Sequence, residues 1–392
     1  MTTITEKPSA LVTGAHGHSG SFLVKTLIER GWQVTATDLP SGKRSKLITK
    51  ERVLVNHNNG DPIYRLDEGA GMRFIPADLT VKSSISRVFK GKRYKAIFHT
   101  ASLYDYFAEY DVLKRVNVEG LANLLEIYME YCSERGLSKS EFPRFLHWST
   151  CGVYGEPTYK KWNQPCTESC PYNPPNDYSK TKVAQERMLH AWQEKHDIPV
   201  IILRPAPIYG PRQSYGAFHL FYIVNKVGYI PIIHIYPRKK RLRMPMVHVE
   251  DLTNAAIFLA EYQDDKILGE AYNIVDDCPY QEDFEEALAE IMDVDYHYMP
   301  MLWCIYKPLA RLAFKLAVRQ GKHFSKRGKR PPVDPPMVEY ATHQYYFSNE
   351  KIRSLGFKFK YRHGFEGIRE TARWYFIHGW LENENDGPIT KT

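Results

Sequence analysis

An α/β fold built on a doubly wound, mostly parallel sheet is expected from three features of this sequence. Short apolar runs alternate with stretches of helical periodicity through the first half of the chain. A glycine-rich turn, TGAHGHSG at 13–20, stands where the first run gives way to the first helix. An aspartate, Asp38, closes the second run. A smaller, mixed C-terminal region is expected after them.

Residues 10–13 read as the first buried strand, and 19–30 carry helical spacing that Gly31 ends. Residues 32–37 form the second strand. Further strands are expected at 72–76, before Asp78, and at 96–99, before Thr100, Ala101 and Ser102. Two more fall at 145–149 and 200–203, with helices around 112–131 and 179–196. The regularity weakens after residue 205, where Tyr209, Gly210 and Pro211 mark a turn. DLTNAAIFLA at 251–260 then reads as a helix.

The chain has 392 residues, 43% of them apolar, which permits a substantial core. Its 53 Lys and Arg exceed its 45 acids, giving a net charge of +8. That excess favours an anionic partner without choosing among lipid, nucleic acid and a phosphorylated cofactor. The six cysteines build no disulfide framework. Cys166 and Cys170 lack companion ligands, so no metal is expected. The amino terminus has no long apolar signal segment, and no run is apolar enough to span a membrane. A cytoplasmic location is expected.

The glycine turn suits a dinucleotide. Gly14 permits the tight turn, Gly17 lets the backbone approach a diphosphate, and Gly20 allows close packing of helix on sheet. Asp38 is placed to accept hydrogen bonds from ribose hydroxyls and disfavours a ribose phosphate, so NAD is expected. Lys43 and Arg44 nearby are the features that would admit NADP. Asp78 is a candidate neighbour of the adenine, or an exposed turn acid.

Tyr178 and Lys182 stand four residues apart, on one face of the expected helix. A nearby ammonium favours phenolate, so Tyr178 is a candidate acid/base at a carbonyl or alcohol carbon. Lys182 is also placed to bond the nicotinamide ribose. Thr150, at a strand end, is the third candidate, with Ser149 the alternative by one residue. Asn117 is expected to bend its helix and hold a water behind Lys182, or simply to pack.

These segments resemble the extended short-chain dehydrogenase/reductase family. The matches are TGAHGHSG, Asp38, ADL at 77–79, HTAS at 99–102, VNVEG at 116–120, STCGVYG at 149–155, YSKTK at 178–182, LRPAPIYGP at 203–211 and HVEDL at 248–252. The resemblance implies a Rossmann-type sheet and a catalytic set of Thr150, Tyr178 and Lys182, with Asn117 supporting a proton relay. It implies NAD contacts from Gly14, His16, Gly17, His18, Gly20, Asp38, Asp78, Leu79, Thr100, Ala101, Ser102, Tyr178, Lys182, Pro205 and Ile208. The loss of regular pattern after residue 205 divides the chain into a cofactor-binding and catalytic core at 8–205 and a substrate and lid region at 206–384. Residues 248–265 return to the core, and 385–392 form a flexible tail. A homodimer is expected by the same analogy.

For the substrate, the sequence leans toward a hydrophobic secondary alcohol or ketone. Leu103 to Phe107 come after HTAS, and Tyr215, Phe218 and Phe221 come after the YGP turn, where they can bury a steroid, terpenoid or acyl body. YFSNEKIRSLGF at 346–357 resembles the 3β-hydroxysteroid dehydrogenase and sterol-decarboxylating branch. The alternative is NAD-dependent 4-epimerisation of a nucleotide sugar. Family dehydratases carry an Asp–Glu pair after the threonine, where this chain has Cys151 and Gly152.

Residues 301–319 place Leu302, Ile305, Leu309, Leu312 and Leu316 beside Lys307, Arg311, Lys315 and Arg319. Lys322, Lys326, Arg327, Lys329 and Arg330 extend the charge, and Pro308 divides or kinks the segment. It reads as a lid lying peripherally on an anionic membrane, or as a helix packed on the protein with a solvated basic edge. A nucleic-acid partner is not expected, because it leaves Thr150, Tyr178 and Lys182 without a shared purpose.

Overall fold

The computed structural model describes residues 7–40, 71–157, 162–327 and 335–381. Lys43, Arg44, Lys329, Arg330 and the tail at 385–392 lie outside them. The first six strands are β1 (Ser9–Thr13), β2 (Gln33–Thr37), β3 (Met72–Phe74), β4 (Ala96–His99), β5 (Arg144–Trp148) and β6 (Val200–Pro205). Next come β7 (Ile208–Tyr209), β8 (Tyr229–Tyr236), β9 (Val247–His248), β10 (Ala271–Ile274) and β11 (Asp295–Leu302). The helices are α1 (His18–Glu29), α2 (Lys82–Phe89), α3 (Tyr110–Lys114), α4 (Gly120–Glu134), α5 (Asp177–His196) and α6 (Phe218–Val227). After them come α7 (Val249–Glu261), α8 (Gln281–Met292), α9 (Trp303–Lys326), α10 (Pro335–Thr342), α11 (Glu350–Ser354) and α12 (Phe365–Ile377).

Seven strands form one parallel Rossmann-type sheet in the order β10-β6-β5-β4-β1-β2-β3. Side chains alternate across it, so both faces are apolar. Ala10 and Val12 face α1 and α7, packing with Leu23, Leu252 and Ile257. Leu11, between them, faces α2, α4 and α5, with Ile85, Leu121, Tyr128 and Leu189. Strand order reverses between β1 and β4, and the crevice at their carboxyl ends is where such sheets bind ligands. The glycine turn and Thr100 to Ser102 flank that crevice.

The expected helix at 112–131 is three pieces: α3, a single π-helical turn over Arg115–Glu119, and α4. The bend expected at Asn117 is thus a local widening of the helix, which turns Asn117 inward. β10 escapes the sequence pattern because its four residues, AYNI, carry a buried Asn273 at a position where apolar residues signal strands.

The C-terminal region packs separately. β8 and β11 pair in parallel. Phe218 and Phe221, expected near the substrate, are instead fully buried among Phe284, Ile368, Tyr375 and Trp380. Their partners lie far along the chain, invisible to a local pattern, and they fill a core rather than line a pocket. The segment at 346–357 is likewise a strap. Phe347 bridges to Cys166, and Asn349 donates to the Val275 carbonyl at 3.0 Å, just past β10.

α9 runs unbroken through Pro308. The proline sits in the second turn, and the bond it forgoes would reach Cys304, whose residue is exposed and can be hydrated. Tyr306 and Ala310 seat the start of the helix on Ile235 and Leu242. Near its other end, Gly321 meets the ring of Phe107 so closely that any Cβ there would collide with it. Gly321→Val is therefore expected to cost about 1–3 kcal/mol of stability, read as a lower melting temperature. Phe107→Ala in the same chain should recover part of that loss. An unchanged melting temperature in Gly321→Val would show that helix and loop do not touch.

Candidate active site

The glycine turn is shaped by sterics on every side. Gly14 has φ +68°, and a Cβ on it would stand 2.8 Å from the Ala101 backbone. A Cβ on Gly20 would strike the Gly14 carbonyl. Thr100 Oγ1 donates to the Thr13 carbonyl at 2.7 Å, tying the end of β4 to the turn. Gly17 is the N-cap of α1, which has no side-chain cap and no acid in its first turn. Its leading N–H groups suit an anion, so these residues fit a dinucleotide diphosphate.

Asp38 accepts the His16 N–H at 2.9 Å and the Leu39 N–H at 2.7 Å, which fixes its carboxylate beside the turn. The His16 ring lies 4.5 Å from Phe74. His18 reaches the other way, with Nε2 3.0 Å from the Pro211 carbonyl, and joins the glycine turn to the turn after β7. Burial lowers its pKa to about 4, so the ring is neutral. Asp78 accepts Thr80 N–H and Oγ1 at 2.9 and 2.7 Å in a tight local turn. Leu79 packs on Gly120, and its carbonyl accepts from Asn123 at 2.9 Å. Pro205 and Ile208 end β6 and begin β7.

α5 starts at an Asn176 cap, whose side chain accepts the Ser179 N–H at 2.9 Å. Its stripe of Tyr178, Lys182 and Glu186 faces the sheet at helical spacing. Lys182 is 1% exposed and donates to the Trp148 carbonyl at 2.8 Å. Its ammonium lies 5.7 Å from the centre of the Tyr178 ring. Burial pushes the phenol up to about 12, opposed only by a hydrogen bond with Ser102. Burial pulls the ammonium down to about 7, opposed by the Glu186 charge. The sequence pattern predicts a phenol lowered by its ammonium. In the folded protein burial outweighs the neighbouring groups that favour either charge.

Thr150 Oγ1 accepts the Gly152 N–H at 3.0 Å, which leaves its hydroxyl proton to donate elsewhere. Ser149 is turned into the core and donates to Glu186, which removes it as the alternative. The Asn117 amide is fully engaged. Its oxygen accepts from Leu103 N–H at 2.7 Å and Ser102 Oγ at 3.2 Å, and its nitrogen donates to the Leu103 carbonyl and Thr181 Oγ1, both at 3.1 Å. It positions the loop after β4 against α5, with no side-chain position left for the expected water.

Two aromatics expected beside the substrate meet near the phenol. Tyr104 sets its edge on Tyr178, 4.8 Å between ring centres, and on Tyr215 at 5.4 Å. His99 and His147 stack at 5.3 Å in the buried interior. Burial and the Lys182 charge depress both, His99 to about 3. Glu186 and Arg204 are buried and joined by hydrogen bonds of 2.5 to 3.1 Å. Among the two histidines, Glu186 and Arg204, only Glu186, four residues past Lys182, stands where helical spacing could have revealed it.

Lys182 binds its proton more weakly when folded than when unfolded, where its pKa is ~10.4. It therefore penalises the fold below pH 7, and the penalty fades as pH rises from about 7 toward the unfolded value. Lys182→Met should raise the melting temperature relative to the parent more at pH 6.5 than at pH 9.5. A gap independent of pH would mean that this lysine keeps an ordinary pKa.

Residues 10–275 match the NAD dependent epimerase/dehydratase family. The chain is 27% identical over 271 residues to a dTDP-glucose 4,6-dehydratase of Neisseria gonorrhoeae, spanning 68% of this chain and 72% of that one. It is 27% identical over 405 residues to short-chain dehydrogenase/reductase family 42E member 1 of Homo sapiens, spanning 96% and 89%. The structure of a Thermus thermophilus UDP-glucose 4-epimerase in complex with NAD shares its fold, with a TM-score of 0.62 at 22% identity over 94% of this chain and 99% of that one. These matches correct the leaning toward a 3β-hydroxysteroid dehydrogenase and sterol-decarboxylating branch, whose supporting segment at 346–357 is the strap beside β10. The chain belongs to the NAD dependent epimerase/dehydratase family, as an NAD-dependent oxidoreductase of the extended short-chain type.

Proposed function

We propose that this protein is an NAD-dependent 4-epimerase of a nucleotide sugar. The two residues after Thr150 carry the choice. Dehydration needs an acid and a base to remove water from the sugar, and those places hold Cys151 and Gly152. The Cys151 thiol is fully buried, donates to the Arg204 carbonyl at 3.0 Å, and is held protonated by burial. A Cβ on Gly152 would lie 3.0 Å from Ser179 Oγ, so the position has little room for a longer side chain. Epimerisation requires proton handling at one carbon only, which suits a single Tyr–Lys pair. The family match and the loss of Phe218 and Phe221 to the core support a sugar over a lipid body.

In this reading Tyr178 takes the proton from the sugar hydroxyl as its carbon is oxidised and returns it to the same oxygen once the ketone has turned its other face to the hydride donor. Thr150 donates its hydroxyl proton to the same oxygen. Lys182, fixed by the Trp148 carbonyl, bonds the nicotinamide ribose and stabilises the phenolate as polar groups enter the pocket. Tyr104 and Tyr215 offer an aromatic wall beside the phenol. Bound NAD supplies the acceptor for the hydride and its source on return.

The purified chain given UDP-glucose or UDP-galactose is expected to interconvert them with no net gain in NADH absorbance. Stoichiometric NADH, or a product that has lost water, would overturn the epimerase reading. Tyr178→Phe is expected to lower turnover by about 10²–10⁴ while NAD affinity, measured by calorimetry, changes little. Near-normal turnover in that variant would remove Tyr178 from proton transfer.

A further inference from the structure

α9 has three faces rather than two. At ~100° per residue, Tyr306, Ala310, Ala317 and Gly321 point to the protein and are buried. Leu302 at the N-cap, Ile305, Leu309, Leu312 and Leu316 form a second row, and each is 49–56% exposed. Lys307, Arg311, Lys315, Arg319, Lys322 and Lys326 form the third, exposed and directly beside the leucines. No helix of the described residues is long and apolar enough to cross a membrane, so this exposed row does not mark a span.

Two properties select the occupant. The helix carries no Asp or Glu, so every side chain on it that is charged at neutral pH is a cation. A second copy laid leucine row to leucine row would bring cation against cation with no acid on either helix to offset them. Half of each leucine-row side chain is open to the surroundings, and Tyr298 and Met299 of β11, the strand that runs into the helix, are exposed as well. A deformable apolar medium with an anionic rim accommodates an exposed apolar row flanked by cations.

We propose that α9 lies in the surface of an anionic lipid bilayer, leucines among the upper acyl chains and Lys and Arg at the headgroups. Through Gly321 the inner side of the helix rests on Phe107, in the loop whose Tyr104 packs on Tyr178. The bilayer thus lies across this helix from the candidate active site. The proposal is independent of which sugar or alcohol the enzyme turns over.

Flotation of the full chain with vesicles tests it. The chain should float with phosphatidylcholine vesicles containing phosphatidylserine, float poorly with phosphatidylcholine alone, and be released by salt. Lys315→Gln with Arg319→Gln should lower partitioning by about tenfold or more, and so should Leu309→Gln with Leu316→Gln. These exposed positions should leave the melting temperature and NAD affinity unchanged, which shows the variants are folded. Absent flotation of the parent, equal flotation on neutral vesicles, or a folded leucine variant that floats like the parent would each overturn the proposal. So would a parent dimer that ignores vesicles and becomes monomeric in the leucine variant, since the row would then belong to a second copy.

Discussion

The buried pair of Glu186 and Arg204 holds the rest of the site in place. Arg204 lies in β6 and Glu186 belongs to α5, so the pair fixes the helix that carries Tyr178 and Lys182 to the strand beside the edge of the sheet. Their remaining capacity is taken up by neighbours. Tyr172 donates to Glu186 at 2.8 Å, and Arg204 donates to Tyr154 at 2.6 Å and to the Glu168 carbonyl at 3.0 Å. Tyr154 passes the network to Asn273 on β10 at 2.8 Å. A buried pair of this kind adds little net stability over an apolar pair, yet losing one partner costs about 3–5 kcal/mol because the other charge is stranded. The arrangement therefore enforces geometry: α5 cannot slide without breaking it.

That rigidity matters because Tyr178 and Lys182 lie in a poor place for charge. Tyr178 and Lys182 share surroundings that oppose both phenolate and ammonium. Groups held so firmly cannot relax toward solvent to gain hydration. Their protonation is left responsive to what enters the crevice, the condition under which a phenol can serve as both donor and acceptor in one cycle.

The sheet was legible wherever apolar runs met glycine or aspartate at their ends, as at β1 and β2. α9 was legible from its leucine and basic repeats despite Pro308. β10 was not, since Asn273 masks its apolar character while being satisfied by Cys166, Ser348 and Tyr154. Within the site, Tyr178, Lys182 and the glycines announce themselves by spacing. Tyr104 and Phe107 were legible only as members of an aromatic loop and the stacked histidines not at all, because their partners are set by tertiary contact. The misplaced Phe218 and Phe221 show the same limit, for an aromatic beside a turn looks alike whether it lines a cleft or plugs a core.

The parallel pairing of β8 with β11 has a consequence for how this chain can be cut or recombined. The connection between those two strands contains α7, which covers one face of the main sheet, and β10, its edge strand. The two halves are threaded through each other rather than strung in tandem. No single break point yields a self-sufficient cassette, and grafting a foreign cap onto this scaffold requires at least two junctions, one on each side of the returning segment.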